Sequence, residues 1–240
     1  MEEVSVLEVK FDSGNVTNTI YPVILTDGQE VILIDCGYPG FAPLIKAAAE
    51  ARGVTFDRLT KIIITHHDFD HMGALAELKS QYPKVQILAS VEEERYISGK
   101  EKSLRLQQAE ALYDSLPDNE KENAEKFHQL LRSVRTTEVD LLLKDHDQFP
   151  WCGGIEIIAT PGHMPGHISI YLRKYKTLIA GDALVVENNE LEIANPKYTL
   201  DIEEAKNSIK KLLEYEIEKV ICYHGGVYMQ NIKESLHKLL

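Results

Sequence analysis

Residues 61–71 read Lys-Ile-Ile-Ile-Thr-His-His-Asp-Phe-Asp-His. An apolar run rich in β-branched residues stops abruptly at a cluster of imidazole and carboxylate groups. His66, Asp68, Asp70 and His71 follow the spacing H-x-D-x-D-H. Such a density of nitrogen and oxygen donors at the end of a strand-like run points to a metal site. A polar loop after a buried strand is the plainer reading, but it leaves the next observation unexplained. His163 follows the apolar run Ile155–Ala159, Asp182 follows Leu178-Ile179-Ala180, and His224 follows Val220-Ile221-Cys222-Tyr223. Every donor lies just past a strand-like segment. Strand ends on one edge of a sheet can meet in space although they are distant in sequence.

With these motifs, and with Asn18-Thr19 and Leu33-Ile34-Asp35-Cys36-Gly37 upstream, the chain resembles the metallo-β-lactamase-fold hydrolase superfamily along nearly its whole length, through His224. The resemblance implies one metal held by His66, Asp68 and His163, a second by Asp70, His71 and His224, and Asp182 bridging them. It implies two divalent ions, zinc foremost, that share a hydroxide as nucleophile and stabilise the developing oxyanion. Asp70, beside that nucleophile, would also shuttle a proton to the leaving group and is the expected catalytic residue. Asp35 at its strand end would support the ligand loops. His167 is expected as a hydrogen-bonded structural histidine. His67, pointing away from its neighbours, is expected at the surface or behind the ligands. His128, His146 and His237 lack a ligand-like context and are expected to be solvated.

Asp68 departs from the family, most of whose members carry His there. Two dications contribute +4 and the three aspartates −3, so a hydroxide brings the core to zero where His would leave +1. The more anionic shell favours harder ions, which admits iron or manganese. An acidic residue at this position also occurs in the flavodiiron branch. That gives the alternative of a diiron oxidoreductase working with a separate electron donor, since the sixteen residues after His224 leave no room for a flavin domain. A non-catalytic metal-binding sensor on the same fold is a further alternative, against which the full set of seven donors speaks.

The expected substrate is a small ester, lactone, thioester or phosphodiester. Asn195, Lys197 and Tyr198, around the break at Pro196, are the candidate substrate contacts. Lactonase-like members often carry Tyr three residues after the bridging Asp. Val185 stands there, which weakens a lactonase reading.

The net charge of −12 and the interleaving of Lys and Arg with acids leave no basic stripe for nucleic acid. No 18-residue apolar run suggests a membrane span. The start, Met1-Glu2-Glu3-Val4, lacks the pattern of a signal peptide. Three cysteines without ligand spacing, Cys36, Cys152 and Cys222, fit reduced thiols in the cytoplasm. Small-molecule substrates are the expected partners, and a homodimer is compatible with the sequence.

Strands are expected over Val4–Phe11, Thr19–Thr26 and Glu30–Asp35, separated by the turns Asp12-Ser13-Gly14-Asn15 and Asp27-Gly28. Pro43–Arg52 and Met72–Tyr82 read as helices around the strand Lys61–Thr65, and Val85–Ala89 as a strand. Residues 92–135 are charged and helix-favouring, divided by Pro117, and read as a helical insertion between two sheets. The resemblance implies that it covers the metal site and shapes the substrate pocket, the alternative being a stabilising flap that never touches substrate. Strands resume at Val139–Leu143, Ile155–Ala159, Ile168–Arg173, Thr177–Ala180 and Lys219–Tyr223. Helices follow over Ile202–Tyr215, with Asp201 and Glu204 as a capping box, and over Gln230–Leu240. Strands followed by helices, twice over, fit a single four-layer αββα sandwich of the metallo-β-lactamase type better than a doubly wound sheet.

Overall fold

The structure, a computed structural model, describes residues 3–14 and 16–240; Asn15 of the first expected turn lies outside the described residues. Its centre is two six-stranded sheets laid face to face. The first has the order β1 (Glu3–Val6), β4 (Val23–Thr26), β5 (Val31–Ile34), β6 (Lys61–Ile63), β7 (Gln86–Ser90), β8 (Leu141–Leu143). The second has the order β16 (Gly226–Tyr228), β15 (Lys219–Cys222), β12 (Thr177–Gly181), β11 (Ile168–Leu172), β10 (Ile155–Ala159), β9 (Gln148–Phe149).

Alternation along each strand builds the layers. In β5, Ile32 and Ile34 point between the sheets, while Val31 and Leu33 point outward toward Ile45 of α1 (Ala42–Ala51) and Leu78 of α2 (Leu75–Gln81). In the second sheet, Ile155, Ile157, Ile168 and Ile170 meet the first sheet. Ile158 and Val220 face Ile209 and Leu212 of α6 (Ile202–Leu212) and Leu236 of α7 (Ile232–Lys238). The result is the expected αββα sandwich. Asp201 caps α6 by accepting the Glu204 N–H at 2.9 Å. Between β7 and β8 lie α3 (Val91–Ile97), α4 (Leu104–Leu112) and α5 (Asp118–Ser133), the expected helical insertion.

Some boundaries differ. The two long strands expected near the N-terminus each break in two, giving β2 (Val9–Ser13) and β3 (Val16–Ile20), which pair only with each other. Pro22, without an N–H, sits at the second break and accepts from Leu7 N at 2.8 Å, so the ladder shifts to a new pair there. Helix α2 starts at Leu75, not Met72, because His71 and Met72 both donate to Asp68 O at 3.0 Å and close a turn that holds the ligand loop. The hairpin β13 (Val185–Glu187) and β14 (Glu190–Glu192) was not anticipated. Its two-residue turn is Asn188-Asn189, both at positive φ, which suits a hairpin as Asn-Gly does. No helix among the described residues is long and apolar enough to cross a membrane.

Candidate metal centre

All seven expected donors converge at one end of the sandwich. His66, Asp68, Asp70 and His71 come from the loop after β6, His163 from the loop after β10, Asp182 directly follows β12, and His224 follows β15. Three groups each bring their donor atoms within 4.8 Å of one another: His66, Asp68 and His163; His66, His71 and Asp182; and Asp70, His71 and His224. Asp182 lies between the outer two, 3.4 Å from His71 Nε2, 3.7 Å from His163 Nε2 and 3.5 Å from His224 Nε2. His66 Nε2, His71 Nε2 and Asp182 Oδ1 are buried with no hydrogen-bond partner. Buried polar atoms are almost always partnered. Three orphans aimed into one histidine–carboxylate cluster fit a divalent cation of the borderline kind that accepts both donor types.

Backbone geometry sets these side chains. Gly162, at φ +135, carries the turn before His163, and a Cβ there would run into the backbone of Ala205. Gly225, at φ +92, lies against the Val186 backbone, while His224 O accepts from Val186 N at 3.0 Å. Neither contact admits a larger residue.

The supporting groups match expectation at two positions. Asp35 accepts the Thr65 N–H and hydroxyl, each at 2.8 Å, and lies 2.8 Å from His71 Nδ1, leaving Nε2 to the cluster. His167, fully buried, contacts the Thr160 hydroxyl through Nδ1 at 2.8 Å and accepts the Asp182 N–H at Nε2 at 2.9 Å. His67 points away from the cluster but is buried, not superficial. Its Nδ1 and its backbone N–H both meet the Glu93 carboxylate, and its Nε2 accepts the Leu104 N–H at 3.2 Å. Glu93 also accepts the Gly166 N–H, so it ties both ligand loops to α3. His128 is a correction: it is buried beside Tyr113, because α5 turns that face toward the protein. His146 and His237 are exposed as expected.

Electrostatics divide the cluster. Burial alone would push His66 below its ordinary value, and the neighbouring His71 adds to this, so it stays neutral. Burial works against a charge on His71 too, yet Asp182, Asp35 and Asp70 outweigh it and raise the imidazole well above the usual range. His224 is raised in the same sense, by Asp182 and Asp70 against burial. Burial opposes ionisation of Asp68 and Asp182, but both are held well below the ordinary carboxylate range. His163, His66 and Arg105 do this for Asp68, and His224 and His71 for Asp182. A set of acids and imidazoles sharing charge in this way is prepared to exchange protons for cations.

Arg105 is the participant the sequence did not disclose. From the first turn of α4 it places Nη2 2.7 Å from Asp68 Oδ2 and Nε 3.2 Å from Oδ1, and it is itself buried. This corrects the charge count. Asp68 enters the cluster with a cation attached, so the extra negative charge is offset. The insertion carries four arginines, at 95, 105, 132 and 135, and its helical periodicity does not choose among them.

A cavity of about 430 Å³ opens over the cluster. Tyr38, Phe69, Phe127, Val185 and Tyr198 form its walls, with Asn195 at the edge. Phe69 bridges Tyr38 and Phe127, with ring centroids 5.4 and 5.6 Å apart. Of the three candidate substrate contacts, Asn195 and Tyr198 line this cavity. Lys197 is exposed and does not line the cavity; its Nζ lies 5.8 Å from the Tyr198 ring centre.

Residues 18–224 match the sequence model of the metallo-beta-lactamase superfamily. The chain belongs to this superfamily. It is 29% identical over 223 residues to the protein named Probable metallo-hydrolase YflN of Bacillus subtilis (strain 168), a match covering 88% of this chain and 81% of that one. It is 28% identical over 165 residues to a hydroxyacylglutathione hydrolase of Brucella anthropi, covering 68% of this chain and 46% of that protein. Among solved structures, the metallo-beta-lactamase family protein TTHA1429 of Thermus thermophilus superposes with a TM-score of 0.76 at 21% identity, covering 98% of this chain and 77% of that one. The archaeal superfamily protein ST1585 of Sulfolobus tokodaii gives 0.69 at 20% identity, over 99% and 86%. These two likenesses concern the fold.

Proposed function

We propose that the chain is a dinuclear metal-dependent hydrolase that cleaves a small, uncharged acyl substrate: an ester, lactone or thioester. The observation that carries this reading is the convergence of seven histidine and aspartate donors, three of them with a buried orphan atom aimed into the cluster, beneath a substrate-sized cavity that Asp68, Asp70, His163, Asp182 and His224 line. His66, Asp68 and His163 would hold one ion, Asp70, His71 and His224 the other, and Asp182 both. When bound, such a pair supplies a nucleophile at neutral pH and a Lewis acid for the oxygen that gains charge. Zinc is the first candidate for a site of four imidazoles and three carboxylates.

The chain's own groups do the rest. The aromatic walls give the acyl group an apolar surface to pack against. Asp70 projects toward the cavity with Oδ2 3.2 Å from His224 Nε2, where a carboxylate oxygen can take a proton and return it to the departing oxygen or sulfur.

Apart from bound metal ions, the lining offers no free cation to hold an anionic group remote from the cleaved bond. Its one cationic side chain, Arg105, is already engaged by Asp68, by the Tyr198 carbonyl and by Gln108, while Glu187 adds a carboxylate at the edge. A phosphodiester or a glutathione thioester would find no spare cationic side chain there. The excess charge of Asp68, which favoured harder ions over zinc, is offset by Arg105. The three cysteines lie buried in three separate core clusters, in keeping with our placing the protein in the cytoplasm.

The test is a panel of chromogenic neutral esters, lactones and thioesters, with a phosphodiester and a hydroxyacylglutathione, run on protein loaded with Zn(II), Mn(II) or Fe(II). We expect chelator-sensitive turnover highest on the neutral acyl substrates. Fully loaded protein inert to all of them would contradict the reading.

A further inference from the structure

We infer that Asp68 and Arg105 act as one composite ligand, a charge-compensated pair that takes the place of a neutral histidine in the His66–His163 site and fastens the helical insertion to it. The inference rests on the dinuclear reading above. Asp68 Oδ2 faces three groups at once: Arg105 Nη2 at 2.7 Å, His163 Nε2 at 3.1 Å and His66 Nε2 at 3.6 Å. The carboxylate thus addresses the two imidazoles and the guanidinium together. Both members are buried, and the contact is two-pronged, Nε to one oxygen and Nη2 to the other. Arg105 is held in turn by Gln108 Oε1 at 2.8 Å and by the Tyr198 carbonyl at 2.8 Å.

The charges follow directly. Asp68 contributes −1 and Arg105 +1, and the pair has the net charge of a neutral imidazole. Arg105 cannot lose its proton, so the compensation holds at all working pH values. Breaking a buried pair by removing one partner leaves an unpaired charge, which is far more damaging than replacing both. Arg105 is therefore a positioning residue. It acts on the centre through Asp68, and through it α4 and the Tyr198 loop are tied to the same point.

The pair predicts reciprocal rescue. Asp68→His supplies the common ligand but strands the guanidinium beside an incoming dication. Asp68→His with Arg105→Met removes both charges. Metal per chain would be measured by elemental analysis after loading with Zn(II), and Tm on loaded and chelator-treated protein. The wild type should hold two ions. Asp68→His should fall to about one and lose roughly 5–15 °C of Tm, and the double variant should recover both ions and most of the Tm. A purely structural role for Arg105 would make the double variant worse than Asp68→His, not better. The inference is overturned if Asp68→His alone keeps two ions and its Tm, or if the double variant is no better than the single, including a failure of both to fold. Fewer than two ions in the wild type would contradict the dinuclear reading instead. The Tm values of the chelator-treated set would then still decide whether the two residues compensate each other.

Discussion

The Asp35 carboxylate lies 2.8 Å from His71 Nδ1 and fixes which nitrogen of that imidazole faces the histidine–carboxylate cluster. The same carboxylate takes both polar hydrogens of Thr65, so one buried side chain at the end of β5 orients the start of the ligand loop and its last member. Asp35 stands at φ 58, a left-handed conformation uncommon outside glycine, and three hydrogen bonds hold it there. Asp35→Asn should leave the fold intact and weaken metal binding by about 10–100-fold, since carboxylates behind a ligating imidazole set its orientation and basicity. Competition with a chromophoric chelator measures this. Unchanged affinity would show that His71 does not depend on Asp35.

His163→Ala and Asp70→Asn should each lower hydrolysis by at least about a hundredfold, the first through loss of a ligand and the second through loss of ligand charge and proton transfer. His67→Ala should differ in kind. It leaves the seven donors in place but takes the imidazole from Glu93, which keeps only the backbone N–H groups of residues 67 and 166, costing about 1–3 kcal/mol of stability. Metal content and denaturant unfolding, measured on all three, separate the two classes. Loss of metal from His67→Ala as complete as from His163→Ala would contradict the assignment.

The convergence of the seven donors was legible because it depends on short spacing and on strand ends, both of which a sequence displays. The supporting place of Asp35 was legible through the family resemblance, and that of His167 through its position at the start of a strand after Pro165-Gly166. Arg105, Glu93 and Phe127 were not. Each reaches the site from the insertion, where a helical repeat of charged and apolar residues says which face is buried but not what it is buried against. The one available clue was Asp68 itself, since a carboxylate in a histidine's place calls for a cation. The Asn188-Asn189 hairpin was missed because neither Asn is a glycine, although both tolerate positive φ. His128 was misplaced because a histidine on an amphipathic helix looks the same whether the helix rests on protein or on water.

Phe127 extends the insertion over the cavity, with its ring centre 5.6 Å from that of Phe69. Phe127→Ala should raise KM for acyl substrates by roughly 5–50-fold, through loss of apolar contact, with a smaller effect on kcat. Two bound ions should remain. An unchanged KM across a series of acyl-chain lengths would remove the insertion from the substrate site.

Asp27 offers a test of stability away from the metals. Burial works to raise its carboxyl, but the backbone N–H groups of Cys152, Glu30 and Gln29 outweigh this and lower it. The bonds to Cys152, Gln29 and Glu30 are 2.8, 2.9 and 2.8 Å, and they pin the β4–β5 turn to the segment that follows β9. A carboxyl with a lowered folded pKa stabilises the protein above its unfolded value, about 3.9, and that contribution is lost as pH falls through the lower folded value. Asp27→Ala should therefore cost about 1–2 kcal/mol at pH 7. The gap between wild type and variant should narrow below about pH 4. Urea unfolding at a series of pH values checks the sign; a gap that widens in acid would refute it.

The proposed hydrolysis depends on two bound metal ions. An anomalous-difference map from crystals of protein loaded with Zn(II), collected on both sides of the zinc absorption edge, tests it most directly. The account predicts two peaks per chain, one among His66, Asp68 and His163 and one among Asp70, His71 and His224, with Asp182 reaching both. No peak at full loading, or a peak at only one of the two positions, would contradict it.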